Sequence, residues 1–317
     1  MTALILHGGA GARRGTDYSR EAAHMREVVE TMKARLDADA SALDVAVEAV
    51  TMLEDSGLYV AGRGASPNLA GAFELDASLM DGATRKAGAV AALQGFRNPI
   101  VAARAVMDHT PHVMLAGEGA ALFALDQGLE PIADEEAWFT RAGQGEDNHP
   151  PGTLSHGTVG CCVLDSAGRL AAATSTAGVF GKMPGRVGDT PIPGAGSWAD
   201  GRVAVSGTGQ GEYFIRVAAA SRPSRSSTQQ PTVPWARVPG GWLSSPCPAR
   251  VNQASSSAIG SSPWSSANSA APSPASMTCG VWSMTARAAT TGLRNPCSAA
   301  TAPALPVDPS IRLASSS

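Results

Sequence analysis

The sequence predicts an α+β fold in layers, with helices packed on the faces of β-sheets, and three observations carry that prediction. Apolar residues recur at helical spacing in some segments, as with Leu43, Val47, Val50 and Leu53, whereas others are short β-rich runs bounded by glycine. Helical segments stand both before and after at least five strand-like ones, and such sheets need helices to cover their faces. The chain has 317 residues, enough to bury a substantial core.

The opening "ALILHGGAG" reads as a buried strand running into a tight turn. Ser19 starts a polar helix, "SREAAHMREVVETMKARLDA", with Glu21, Glu27 and Glu30 toward its front and Lys33 and Arg35 toward its end, as the helix dipole favours. "SALDVAVEAVTMLEDSG" is a second helix, capped by Ser41 and stopped by Gly57. "ELDASLMDG" and "KAGAVAAL" read as paired strands around the Asp81-Gly82 turn. "NPIVAARAVMDHT" is a helix with Pro99 in its first turn, "HVMLAG" a short strand and "EGAALFALDQG" a helix. From Glu130 to Ser155 the chain is polar and aperiodic, with Pro131, Pro150 and Pro151, and reads as a linker. "TVGCCVLD", "RLAAATST" and "RVAVSGTG" follow as strands, the last two joined by a Gly/Pro-rich connection, and "GEYFIRVAAA" follows as a helix.

Composition excludes several classes of function. A net charge of -3 provides neither a basic field for nucleic acid nor an acidic tail. No apolar run approaches the roughly 18 residues of a membrane span, and the start lacks the n- and h-regions of a signal peptide. A soluble, cytoplasmic protein is expected. Five cysteines, two of them adjacent at Cys161 and Cys162, have no metal-ligand spacing and suggest no disulfide framework. Beyond residue 220 the composition breaks: residues 221–317 hold no Lys, no Glu and one Asp, against seven Arg, thirteen Pro and twenty-two Ser. That mixture, with four of the six Trp, is what a GC-rich coding sequence yields when read out of frame, so a frameshift near codon 220 and a disordered tail are expected.

Chemistry concentrates in four stretches: "HGTVGCC" from His156, "ATSTAG" around Thr176, "GRVGDTPIPGAG" from Gly185 and "SGTGQGE" from Ser206. An isolated "GTVG" is an ordinary strand start. A threonine becomes a useful nucleophile when it stands at a chain N-terminus, where its own α-amine takes the proton; the reference pKa of that amine, about 7.7 to 8.0, suits a general base. An internal Thr158 must first be freed, and a preceding glycine tolerates the strained backbone this requires.

With these stretches, "LHGGAG", "LDASLMDG", "KAGAVAAL", "NPIVAARAVM" and "HVMLAGEGA", the first 218 residues resemble the plant-type L-asparaginases and isoaspartyl peptidases, a family of N-terminal nucleophile (Ntn) hydrolases. The resemblance implies a four-layer αββα sandwich and self-cleavage between Gly157 and Thr158. It implies an α subunit of residues 1–157, ending in the linker, and a β subunit beginning at Thr158, of which 158–220 match and 221–317 do not. It implies Thr158 as nucleophile, Thr176 as the hydroxyl that orients it, and Thr208 and Gly209 as the oxyanion hole. Arg186 would bind the substrate α-carboxylate and Asp189 its α-ammonium, with Val187, Gly188, Gln210 and Gly211 completing the substrate loops. His7 belongs to a glycine loop near the nucleophile, where a structural role fits better than general-base catalysis. Main-chain carbonyls of Leu53, Glu54, Ser56, Tyr59, Ala61 and Arg63 would hold a structural sodium ion, oxygen-only ligation suiting a hard cation. No other cofactor is implied. The implied substrate is a small molecule or dipeptide, and the implied assembly a dimer of cleaved αβ units.

The chain departs from the family pattern where "NAG" is replaced by Val60-Ala61-Gly62, which predicts altered substrate preference or slower maturation. Gly157, where glycosylasparaginases carry Asp, favours the isoaspartyl branch. A rival reading, resting on the aberrant tail, is an inactive chain that never processes itself. A nucleotide-binding loop at "HGGAGARRG" is disfavoured, since its glycines give neither GxGxxG nor a P-loop lysine.

Overall fold

The computed structural model describes residues 2–11, 17–140, 157–225 and 280–285. The elements in order are β1 (Ala3–His7), α1 (Ser19–Asp37), α2 (Ala42–Asp55), β2 (Leu75–Asp81), β3 (Ala87–Leu93), α3 (Pro99–His109), β4 (Met114–Ala116), α4 (Gly117–Asp126), α5 (Glu135–Trp138), β5 (Val159–Leu164), β6 (Leu170–Thr176), β7 (Ser197–Ala199), β8 (Val203–Thr208), α6 (Gly211–Val217), α7 (Arg222–Arg225) and β9 (Gly280–Thr285).

Six strands form one sheet in the order β1-β5-β6-β2-β3-β4, antiparallel except where β4 lies parallel to β3. A second antiparallel sheet, β7-β8-β9, packs against β5, β6 and β2. Helices α1, α2 and α3 cover the outer face of the first sheet. This layering explains why β5 and β6 are buried at every position and read as continuous apolar or small runs without alternation. The main core lies between helices and first sheet, around Val28, Val45, Leu53, Leu79, Ile100 and Val159. Small residues such as Ala172, Ala199 and Ala204 fill the gap between the sheets with Met80, Cys162 and Leu164. The fold is thus the αββα sandwich, with its fourth layer reduced, among the described residues, to α6, a 3-10 turn at Ala219–Ser221 and α7.

Local chemistry sets the element ends. The Ser41 hydroxyl accepts from Asp44 N–H at 3.2 Å and caps α2, and Gly57 at φ +67° lets the chain turn away after that helix. The β2–β3 connection is longer than the two-residue turn expected, because the Asp81 carboxylate and carbonyl gather the N–H groups of Ala83, Thr84 and Arg85 into a loop.

One expectation needs correction. The start of the presumed linker is docked structure: Phe139 stacks on Phe73 with ring centroids 4.0 Å apart, and Thr140 N–H donates to Arg63 O at 2.8 Å. Aromatic burial there outweighs the polar composition; the rest of that segment, 141–156, lies outside the described residues. In the second sheet, β9 pairs with β8 along Val203–Thr208. Backbone ladder bonds need only extended chain, which "GVWSMT" supplies whatever its origin. The expectations for 226–279 and 286–317 lie outside the described residues.

Candidate active site

One end of the sandwich collects the residues singled out by the motifs, because the antiparallel register sets the start of β5 beside the ends of β1 and β6. His7 pairs with Gly160, and Val159 pairs with Ser175. The cleft formed there is lined by Gly157, Thr158, Thr176, Gly178, Val179, Arg186, Gly188, Asp189, Thr190, Gly209 and Gly211.

Thr158 is buried, and its hydroxyl donates to Thr176 Oγ1 at 3.2 Å. Thr176 donates in turn to the Gly157 carbonyl at 2.6 Å and accepts from Gly178 N–H at 3.0 Å. The carbonyl that Thr158 would have to attack is therefore already polarised by a hydroxyl. Gly157 is packed tightly: a Cβ added there would stand 2.5 Å from Val60 Cβ. Gly9, at φ +114°, approaches from the opposite strand end, and a Cβ on it would lie 3.2 Å from Thr158 N.

Asp189 lies in the cleft wall, buried, with Oδ2 lacking a hydrogen-bond partner. Burial pushes its carboxyl up to about 6, with Arg186 opposing the rise and Glu212 and Asp76 adding to it. Arg186 points both Nε and Nη2 at one oxygen of Glu212, at 3.0 and 2.8 Å. Thr208 is buried next to Gly209 and is not part of the cleft lining; its hydroxyl is also unpartnered. Val187 and Gln210 are half-buried and do not line the cleft. Cys161 and Cys162, close to Thr158 in sequence, are buried and form no disulfide among the described residues; burial pushes both thiols up, so neither supplies a thiolate.

The Leu53–Arg63 segment lies outside the cleft lining. Its carbonyls at Leu53, Tyr59 and Ala61 accept from Ser56 Oγ, Ala61 N and Gly64 N, whereas Arg63 O already takes both Thr140 N and Thr140 Oγ1. Gly62, at φ +51°, folds the turn onto the end of α2, where a Cβ would stand 2.8 Å from Glu54 O.

Sequence reading missed several groups around the cleft. Glu212 engages Arg186 across 26 residues, and Lys182 is buried against Glu74, Nζ lying 3.4 Å from Glu74 Oε2 and 3.1 Å from Glu74 O. A Lys in "FGKMPG" is ordinarily a surface charge, and its partner lies 108 residues away, so only the buried pairing exposes its role.

Two sheets face to face between helices, with a buried threonine heading an inner strand, define the Ntn-hydrolase class. Residues 1–146 and 133–231 match the family described as asparaginase, and the chain belongs to that family. It is 45% identical to an isoaspartyl peptidase of Salmonella typhimurium, over 68% of this chain and 76% of the relative. It is 43% identical to a plant-type L-asparaginase of Pyrobaculum calidifontis, over 68% and 76%, and 39% identical to an isoaspartyl peptidase/L-asparaginase of Danio rerio, over 68% and 73%. Among the described residues no helix is long and apolar enough to cross a membrane.

Proposed function

We propose that this chain is an amidohydrolase acting on L-asparagine and β-aspartyl (isoaspartyl) peptides through Thr158, freed by cleavage of the Gly157–Thr158 bond. The observation that carries this reading is the hydroxyl chain from Thr158 through Thr176 to the Gly157 carbonyl, in the same cleft as Arg186 and Asp189.

In maturation, Thr158 Oγ1 attacks the Gly157 carbonyl carbon while Thr176 donates to its oxygen. The C–N bond breaks as the Thr158 nitrogen takes up the proton that Oγ1 gives up, and water hydrolyses the resulting ester to a Gly157 carboxylate and a free Thr158 amine. In turnover, a substrate α-carboxylate takes the place of Glu212 on Arg186, a planar donor suited to it. The α-ammonium meets the unpartnered Asp189 oxygen. The Thr158 amine receives the hydroxyl proton as Oγ1 attacks the side-chain amide carbon, and the developing oxyanion takes donors from Thr208 Oγ1 and Gly209 N–H. Ammonia or a peptide amine leaves with a proton, and water releases aspartate from the acyl-threonine. A sodium ion on the Leu53–Arg63 carbonyls would brace the loop carrying Val60 and takes no part in these steps. We also infer a cytoplasmic dimer of cleaved αβ units, with the exposed apolar residues Val113, Met114, Leu122 and Leu125 around edge strand β4 available as contacts.

Denaturing gels, N-terminal sequencing and assays of ammonia release from L-asparagine and of amino-acid release from a β-aspartyl dipeptide test the reading. The full chain should give two fragments, the second starting at Thr158. Thr158→Ala should stay uncleaved, with activity lower by about a thousandfold or more. A wild-type chain that stays whole and hydrolyses neither substrate would overturn it.

A further inference from the structure

Behind the nucleophile lies a buried polar series that the proposed chemistry does not use. His7, at the end of β1, is 2% exposed and bridges two elements. Its Nδ1 lies 3.1 Å from the Thr158 carbonyl oxygen, and its Nε2 lies 2.7 Å from Ser206 Oγ on β8. Ser206 Oγ in turn lies 2.7 Å from Thr174 Oγ1 on β6. The three side chains belong to strands of both sheets and meet over β5 at Gly160. A Cβ at Gly160 would come within 2.0 Å of Ser206 Oγ and 2.3 Å of His7 Nε2, so the glycine is the opening through which the sheets exchange hydrogen bonds.

Proton positions in this series follow from valence. A carbonyl oxygen only accepts, so Nδ1 must carry the hydrogen directed at Thr158. A neutral imidazole has one N–H, so Nε2 accepts, and the Ser206 hydroxyl must donate to it. Ser206 oxygen is then free to accept from Thr174. Burial keeps the ring neutral by pushing its pKa down to about 3, the bond to Thr158 opposing that fall only in part. Each member thus has one orientation, and the last bond fixes the peptide plane that follows the Thr158 Cα. Rotating that plane swings the Thr158 nitrogen and hydroxyl, which hang from the same carbon, relative to the cleft. The carbonyl belongs to Thr158 itself, so this hold survives cleavage of the bond to Gly157.

We propose that His7 is a positioning residue, locked by Ser206 and Thr174 as its Nδ1–H tautomer, which holds the Thr158 carbonyl and thereby aims the nucleophile. The role rests on the reading of Thr158 given above. It acts through the Thr158 main chain and leaves Arg186 and Asp189 untouched, so its loss should appear in kcat rather than KM.

Two side chains separate the two ends of the imidazole. In His7→Asn the amide N–H can reproduce Nδ1–H toward Thr158 without reaching Ser206, whereas in His7→Gln the longer amide reaches toward Ser206 and loses the Thr158 bond. With the full chain and a β-aspartyl dipeptide, His7→Asn should keep kcat within about threefold of wild type, and His7→Gln should lose about tenfold or more, with KM changed by less than about twofold in both. Thermal melts of both variants separate a packing loss, which lowers stability alike, from a loss of aim. Equal kcat losses in the two variants, or an unchanged kcat in His7→Gln, would overturn the proposal. A second measurement does not depend on any variant folding: nitrogen-15 NMR of the wild-type imidazole should show protonated Nδ1 and unprotonated Nε2. A ring protonated at Nε2 overturns the relay. An inactive, uncleaved wild-type chain overturns the functional reading and the aiming role with it, whereas the tautomer measurement still decides the hydrogen-bond series.

Discussion

Thr176 has its whole hydrogen-bonding capacity in use: its one hydrogen goes to Gly157 O, and its two lone pairs accept from Thr158 and Gly178. That saturation gives the hydroxyl a single direction, which a strand threonine in isolation would not have. Asp189 is the opposite case, a buried carboxyl with an idle oxygen. Its carboxyl is raised to about 6, so it is ionised above that pH and neutral below it, and a neutral acid offers no charge to an α-ammonium. KM for L-asparagine should therefore rise as pH falls below about 6, approaching tenfold per unit, whereas protonation of the Thr158 amine lowers kcat and leaves KM to report Asp189. Steady-state kinetics from pH 8 to 5 check this, and a flat KM across that range would remove Asp189 as the ammonium partner. Val60 is the residue at which a sequence departure acquires a location: it stands against Gly157, beside the Gly157–Thr158 bond.

The connection from β6 to β7 carries Arg186 and Asp189 to the cleft, and it is anchored by a buried ion pair. Lys182 and Glu74 form a buried pair, and Glu74 Oε1 also accepts Gly185 N–H at 2.8 Å, one residue before Arg186. Asp76 lies nearby, its carboxyl pushed up to about 6 by burial against the pull of Lys182. Removing the cation leaves carboxylates buried without compensation, which typically costs about 3–5 kcal/mol. Lys182→Met should lower the unfolding free energy by about that amount, and Lys182→Met combined with Glu74→Gln should recover part of it. Urea denaturation of the two variants checks this; equal losses would mean that the ion pair is not the anchor. At this scale the sequence was readable for helices and long strands, where periodicity, Ser41 and Pro99 mark the ends. It was not readable for β7 or α5, which are short: β7 is held by pairing with β8 and by packing Trp198 against the inter-sheet cluster, and α5 lies beside the Phe139–Phe73 stack.

For the whole molecule, the second sheet is the sensitive part. β8 carries Ser206 and Thr208, and its outer side is covered by β9, drawn from the stretch whose composition matches nothing before residue 220. Ending the chain at residue 225 should expose that edge, lower the melting temperature and cause concentration-dependent association visible by light scattering. An unchanged melting curve and a monodisperse sample at all concentrations would show that β9 contributes nothing. The sequence by itself determined the layered fold class, most elements of the first sheet, and the residues gathered in the cleft, because periodicity and glycine-rich motifs are local signals that survive without neighbours. Only the tertiary structure decided that Glu212 meets Arg186, that Lys182 lies buried on Glu74, and that His7, Ser206 and Thr174 join through Gly160. Those pairings link residues 26 to 199 positions apart, and no local spacing encodes them; the His7 series exists because two sheets stack closely enough for side chains of one to satisfy polar groups of the other, and the two ion pairs because the β6–β7 connection folds back over Glu74 and α6.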